Sequence, residues 1–347
     1  MKISQKGWSE RVEKQVVKLA VRGSYGEAVK TYSELVGLSL VKTTSWERTQ
    51  ERGQRLRKRR LVEADKGWAL PKRQELLPGE ALEPVHKAVS LDGVLVYILG
   101  EGWKEVKVGC VFDYATHRVY DRKRGESKEV VKGTAQSYTA YLGGPDVFGK
   151  LLSAEAERRG FHQAERRAGI ADGAKWIWNL VNLCFPIVQE IVDWDHAVGH
   201  VWAAAHLAYG EGTSRAKQWA KHRTDELWLG EVHKVIEAIQ ALSDQLPAQA
   251  EALRTEAGYF RNNTHRMQYQ EFREESYPIG SGTVESGCKR LVEARMRGAG
   301  MRWAHPGAEN MLALRTEYLS NRWDEAWQLT LAASTSPPIP NAPGSTR

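Results

Sequence analysis

Three carboxylates in this chain have the residue type and the surroundings to do metal chemistry. Asp92 lies in the strand-like stretch "SLDG", Asp172 in "ADG", and Glu285 in "YPIGSGTVESGCKR", which spans Tyr277 to Arg290. They are separated by 80 and 113 positions, so only a fold can assemble them. Three hard oxygen ligands with little competing imidazole or thiolate favour Mg²⁺ or Mn²⁺ over zinc. Two such ions about 4 Å apart can activate an attacking oxygen and stabilise a leaving oxygen in an in-line phosphoryl displacement. The same residues have simpler uses. Asp-Gly is an ordinary turn former, and an acid in a helix's first turn is favoured by the helix dipole. What sets Glu285 apart is its position at the start of a helix that then becomes strongly basic. That pairing makes sense if the acid holds a metal and the bases hold a polyanion.

The charge distribution supports a polyanionic partner. The chain carries 50 basic and 43 acidic residues, net +7, with a pI near 9.2. "ERGQRLRKRR", Glu51 to Arg60, has six bases against one acid, and "CKRLVEARMRGAGMR", Cys288 to Arg302, has five against one. Clusters of this kind neutralise phosphates and gain affinity by counterion release, although a single cluster equally suits a solvated helix face. Arg48, Arg52, Arg55, Arg57, Lys58, Arg59 and Arg60 form the first candidate nucleic-acid surface. Lys289, Arg290, Arg295, Arg297 and Arg302 form the second.

The elements that must position these groups can be read coarsely. Val12, Val16, Leu19 and Ala20 repeat at helical spacing, and Ser24 suits the N-cap of a helix ended by Gly37. Another helix begins at "LSLVKTTSWERTQERGQRL", which gives a helix-turn-helix with Thr43, Thr44, Ser45, Arg48 and Arg52 facing a groove. Residues 61–86 read as a linker, with Pro71, Pro78 and Pro84. "KAVSLDGVLVYIL" reads as a strand, and "EVKVGCVFDYATHRVYDRKR" as two more strands joined by a turn. "AERRAGIADG" makes a weak strand, poor in β-branched residues, and "PIVQEIVDWDHAVGHVW" supplies another that ends at Asp193. Three strands, then helix, strand, helix, strand is an α/β order, and such sheets place their chemistry at strand ends. From Ala197 to Glu275 the sequence is almost wholly helical and reads as an insertion. Its Trp202, Trp219 and Trp228 suit helix packing first and base stacking second. "STSPPIPNAPGSTR" reads as a disordered tail.

No apolar run reaches membrane-spanning length, and the N-terminus lacks a signal-peptide core. Cys110, Cys184 and Cys288 stand too far apart for a CxxC site or a disulfide framework. A reducing, cytoplasmic, nucleoid-associated setting is the expectation.

The sequence resembles bacterial insertion-sequence transposases of the DDE type, closest to the ISKra-type group and more distantly to Mutator-like enzymes. The stretches that carry the resemblance are "VSLDGV", "EVKVGCVF", "IADGAKWIWNL", "VDWDHAVGH", "YFRNNTHRMQY" and "YPIGSGTVESGCKRLVEARMRGAGMRW". They run in the family's order from about Lys87 to Arg322, and "IGSGTVES" followed by a basic helix and "GAGMRW" is the most specific. The resemblance implies an α/β fold with an RNase H-like mixed-sheet core interrupted by an all-helical insertion, and an N-terminal helix-turn-helix. The implied segments are 1–60 for DNA binding, 61–86 as linker, 87–196 and 276–330 as core, 197–275 as insertion and 331–347 as tail. The catalytic and metal-binding acids would be Asp92, Asp172 and Glu285, with two Mg²⁺ or Mn²⁺ ions. Asp193 and His196 of "DWDH" would be an auxiliary pair. The implied partners are double-stranded DNA, as terminal repeats and target, and further copies of the chain in a dimer or larger synaptic complex.

Two alternatives share these residues: a DNA-binding protein or repressor without catalysis, and a metal-dependent nuclease without strand transfer. A paired-carboxylate glycosidase is more distant, because it leaves the basic clusters without a purpose.

Overall fold

The computed structural model describes residues 8–65, 86–121 and 125–331. Most of the expected linker, including all three of its prolines, and the expected tail from residue 332 lie outside the described residues.

Three helices come first: α1 (Glu10–Arg22), α2 (Tyr25–Val36) and α3 (Lys42–Asp65). Ser24 and Glu27 form a reciprocal capping box at the start of α2, and Gly37 ends it in the left-handed conformation. The boundary expected at residue 60 falls inside α3, which is one continuous 24-residue helix. These helices share one hydrophobic core with the rest of the chain through Val17, Val21 and Leu56.

A five-stranded mixed sheet follows, built from β1 (His86–Ile98), β2 (Gly102–Asp121), β3 (Glu126–Leu142), β4 (Arg166–Ala171) and β5 (Gln189–Val192). Its order is β3-β2-β1-β4-β5. β1, β2 and β3 pair antiparallel, and β4 and β5 continue parallel to β1. The expected turn within "EVKVGCVFDYATHRVYDRKR" is absent, because β2 runs through it unbroken for 20 residues. The register instead shifts between Val111 and Asp113, where the Asp113 carboxylate is taken by Lys87 and by Arg159 at 3.0 Å. Past Tyr114 and Gly133, β2 and β3 leave the sheet as a largely exposed two-stranded ribbon. The weak sequence of β4 is a strand because it is paired on both sides and buried from Ala168 to Ala171; placement outweighs residue propensity here.

α4 (Pro145–Arg158) lies between β3 and β4 in sequence, and α5 (Lys175–Cys184) between β4 and β5. The helical block is α6 (Trp194–Tyr209), α7 (Ser214–Trp228), α8 (Val232–Gln245), α9 (Ala250–Asn263) and α10 (Tyr269–Glu274). The expected insertion boundary at Ala197 therefore lies within α6. Val232, Val235, Ile239 and Leu242, three or four residues apart, form the buried stripe of α8. Trp202 and Trp219 pack against the core. Trp228 is 39% exposed, with the Arg273 guanidinium 3.7 Å from its ring centroid.

The chain then returns to the sheet with α11 (Gly282–Gly287), a π-helical turn (Cys288–Glu293), α12 (Ala294–Met296), α13 (His305–Leu319) and α14 (Trp323–Leu331). Gly280 and Gly282 do not adopt positive φ, so the turn before α11 needs no left-handed residue there. The demanding glycine is Gly287, where a Cβ would stand 2.6 Å from the Tyr138 ring. α3 and α13 meet equally closely: a Cβ at Gly53 would lie 2.5 Å from the Asn310 carbonyl oxygen.

Candidate active site

Parallel register assembles the first half of the site. The β1–β4 pairing ends at Ser90 opposite Ile170, so two residues on Asp92 and Asp172 fall level along neighbouring strands. Adjacent strands are about 4.8 Å apart. The β4–β5 pairing ends at Ala171 opposite Val192, and the Asp193 N–H donates to the Ala171 carbonyl at 2.8 Å. Asp92, Asp172 and Asp193 thus form a row across three parallel strands.

The three acids differ in what their oxygens do. Asp193 is 1% exposed, and both its oxygens are engaged. One accepts the His196 N–H at 2.8 Å as the N-cap of α6, and the other accepts the Ser281 N–H. The Trp194 N–H donates to the Ile279 carbonyl at 2.9 Å, so the Tyr277–Ser281 turn is strapped to the end of β5. The Ser281 hydroxyl then donates to Glu285 Oε1 at 3.1 Å. Asp193 therefore acts on Glu285 through Ser281.

Asp92 accepts the Gly93 N–H at 2.6 Å on one oxygen and the Cys288 thiol at 3.4 Å on the other. Cys288 opens the π-helical turn directly after α11, so the helix carrying Glu285 is tied to β1 as well. Asp172 Oδ1 accepts the Ala174 N–H at 2.8 Å. Asp172 Oδ2 and Glu285 Oε2 have no hydrogen-bond partner among the described residues.

The field at this end of the sheet is negative. Burial pushes the Asp92 carboxyl up; the Gly93 and Cys288 hydrogen bonds oppose this, the charge of Asp172 reinforces it, and His196 lowers it. Asp195 is also raised, by burial and then by Asp193 and Glu285, with His196 opposing. Burial and the nearby Asp92 carboxylate hold Cys288 as a neutral thiol, able to donate but not to act as a thiolate. Among the described residues, no three His, Cys, Asp or Glu side chains group closely enough to hold one ion. The sheet end gathers the acids without closing a cage around a cation. The donor set still suits a hard divalent ion, since free carboxylate oxygens are present and the one sulfur is protonated.

The insertion reaches the same place. The Tyr259 hydroxyl, on α9, donates to the Asp172 carbonyl at 2.8 Å. Its ring stacks on His200 with centroids 3.5 Å apart, and His200 Nδ1 lies 2.6 Å from Glu256 Oε2. Tyr259→Phe keeps the stack and removes only the hydroxyl. It is expected to cost about 1 kcal/mol and to speed amide hydrogen exchange locally in the Asp172–Lys175 turn. Unchanged exchange there would show that the bond does not hold the turn.

The expected cationic surfaces are largely redirected. Arg48 and Arg52 are each 6% exposed, and Ser45 is fully buried, so these residues do not face a groove. Arg52 donates to both oxygens of Glu13, at 2.8 and 2.9 Å, and lies over Trp327. Arg57 pairs with Glu309, and Arg60 donates to Thr316 at 2.6 Å beside Glu317. Arg55 pairs with Glu51 and Arg59 with Glu63, while Lys58 is exposed. In the second cluster Arg295 is buried, donating to the Ala20 carbonyl at 2.9 Å. Lys289, Arg290, Arg297 and Arg302 are exposed. The cause is common to all the buried cases: at helix-helix contacts arginine stems fill space and their forks satisfy carbonyls and acids.

Sequence reading did not single out Ser281, Asp195, Cys288 or Tyr259 as site residues. Tyr259 lies in "YFRNNTHRMQY" and Asp195 within "DWDH", but no spacing rule connects either to Asp172 or Glu285. No protein-family model matches the chain, and no curated protein matches it in sequence.

Proposed function

We propose that this protein is a metal-dependent DNA transposase of the DDE type, with an RNase H-like core, which cuts the ends of an insertion element and joins them to target DNA. One observation carries the reading: Asp92 and Asp172 come level on adjacent parallel strands, and the helix bearing Glu285 is tied to that row by Cys288 and by Ser281–Asp193. A mixed sheet interrupted by helices between β5 and the acidic helix supports the same reading.

Asp92, Asp172 and Glu285 would hold the divalent ions. When bound, two Mg²⁺ ions supply charge neutralisation at the phosphate and activation of the attacking oxygen. The chain's own residues do the positioning. Asp193 fixes the turn before α11, Ser281 orients Glu285, Cys288 orients Asp92, and Tyr259 holds the backbone at Asp172. Water displaces the 3′-oxygen of the element's end, and the freed 3′-hydroxyl then attacks a target phosphodiester with loss of its 3′-oxygen. Neither step requires a covalent link to the protein. A paired assembly belongs to this reading, because two ends must be joined together. The α2–α3 pair would serve as the helix-turn-helix, with Thr43 and Lys58 among its exposed residues. Among the described residues no helix is long and apolar enough to cross a membrane.

The test is incubation with DNA carrying the element's own terminal repeats, with Mg²⁺ and with EDTA. Mg²⁺-dependent nicks at the repeat ends, and joined products from precut ends, are expected. Salt-sensitive binding without cutting at any Mg²⁺ or Mn²⁺ concentration would instead mark a DNA-binding protein without catalysis. The open ion group noted above is the observation that favours this second reading.

A further inference from the structure

Several cations that the fold leaves unpaired gather in a cleft that the sequence indicated only through Arg290. A cleft of about 640 Å³ opens between the end of α1, the base of the β2–β3 ribbon, the π-helical turn and the end of α13. Lys18, Arg22, Arg159 and Arg290 line it, and no aspartate or glutamate does. Arg159 is shared with Asp113, whereas Lys18, Arg22 and Arg290 have no ion pair among the described residues. The remaining lining is largely polar and includes Gln136, Ser320 and Asn321.

The contrast with α3 is the informative part. Along α3, six of the seven candidate cations have an acidic partner on a neighbouring turn or helix, and the seventh, Lys58, is a lone surface lysine. Here four cations from three separate parts of the chain converge with no carboxylate on the wall, and only Arg159 has an acidic partner, Asp113. Bringing like charges together costs free energy unless an anion shares the space. The backbone is also unusual at this spot. Two of the four described non-glycine residues with positive φ, Ala135 at 47° and Asn321 at 58°, lie on the cleft wall. Such conformations are strained for non-glycine residues and collect where a shape is needed for binding.

We propose that this cleft is a phosphate-backbone site for a DNA strand, with Lys18, Arg22 and Arg290 as its phosphate contacts and Arg159 as a flank. Arg290 lies five residues beyond Glu285, within the π-helical turn that follows α11, so the cleft and the acidic helix share one continuous segment. The identity of the polyanion rests on the DNA-acting reading above. Binding itself requires no divalent ion and is decided independently of cutting.

The experiment measures anisotropy of a fluorescent 30-base-pair duplex of arbitrary sequence, in EDTA, over a range of NaCl concentrations. It compares the unaltered protein with Arg22→Glu/Arg290→Glu and with Lys217→Glu/Lys221→Glu, two exposed lysines on α7. Thermal melts check that each remains folded. Loss of two phosphate contacts should weaken binding by at least about tenfold at moderate salt. It should also make the slope of log K against log[NaCl] shallower by about 1.8. The α7 variant should keep both affinity and slope. Should the Arg22/Arg290 variant fail to fold, Lys18→Gln supplies the same comparison with a slope change of about 0.9. Affinity and slope unchanged in the cleft variants, or no DNA binding by the unaltered protein, would overturn the proposal. Displacement of the duplex by inorganic phosphate at low millimolar concentration would also overturn it, in favour of a small phosphate ligand. Mg²⁺-dependent cutting with intact cleft-variant binding would sink this inference alone; cleft-dependent binding without cutting would sink only the catalytic reading.

Discussion

Asp92→Asn is expected to reduce Mg²⁺-dependent cleavage of the terminal repeats by about 10³-fold while leaving the protein folded. An ion at a phosphoryl-transfer site supplies several kcal/mol of transition-state stabilisation, and each 1.36 kcal/mol is tenfold in rate. The fold should not suffer. Asp92 is half-buried beside Asp172, and burial raises its pKa. A carboxyl whose folded pKa lies above its unfolded value stabilises the protein only when protonated, and that contribution is lost as pH rises through the folded value. At neutral pH the charge therefore opposes folding, and the neutral amide should melt at the same temperature or higher. Glu285→Gln should lose cleavage to a similar degree, since Glu285 is half-buried and its one recorded partner, the Ser281 hydroxyl, can donate equally to an amide oxygen. Asp193→Asn should behave differently. It perturbs a helix cap and the strap to Ser281, so it should cost about 1 kcal/mol of stability together with activity. Cleavage assays run beside thermal melts separate the two classes. If Asp92→Asn and Glu285→Gln both cut DNA at the unaltered rate, the assigned roles are wrong.

Glu317→Gln is expected to destabilise the protein by about 3–5 kcal/mol, the usual cost of breaking a buried ion pair from one side. Glu317 is 4% exposed on α13. Arg322 donates to it at 2.7 Å and to both oxygens of Glu155, on α4, at 2.7 and 2.9 Å. Arg60, on α3, lies 3.5 Å from Glu317. Burial alone would raise the Glu317 pKa, but Arg60 and Arg322 outweigh it and hold the carboxyl below the usual range. Its stabilisation is therefore fully present above about pH 4.3, the unfolded glutamate value, and is lost as pH falls through the depressed folded value. Urea denaturation at pH 7 should show the full deficit in the variant. The gap between variant and parent should hold from pH 7 to about pH 4.3 and narrow below it. A deficit below about 1 kcal/mol, or one independent of pH, would show that the network is not a stabilising tie.

That network also explains why a domain boundary at residue 60 looked plausible and does not correspond to a break in the fold. "ERGQRLRKRR" reads as solvent-facing because its charge is visible and its partners are not. Glu13, Glu309, Glu317 and the Thr330 carbonyl are the groups that meet Arg52, Arg55, Arg57 and Arg60, and they come from α1, α13 and α14. The β2 misreading has a similar origin. "FDYATH" has turn-like residues, but the Asp113 charge is answered by Lys87 from β1 and Arg159 from the end of α4, which makes a bulge tolerable within a continuous strand.

The sequence by itself determined the helix-strand alternation, Ser24 as the cap of α2 and Gly37 as its end, and the placement of Asp172 and Asp193 just beyond two strand ends. These are local properties, fixed by periodicity, capping and turn chemistry within a few residues. Tertiary structure alone decided which acids keep free oxygens, since Asp193 spends both on a helix cap and a distant turn while Asp172 and Glu285 keep one each. It also decided which cations remain for a partner: Arg52 and Arg295 are buried, and Lys18, Arg22 and Arg290 face a cleft. Charge type is written in the chain, but desolvation and pairing depend on neighbours far away in sequence, and those neighbours exist only once the chain has folded.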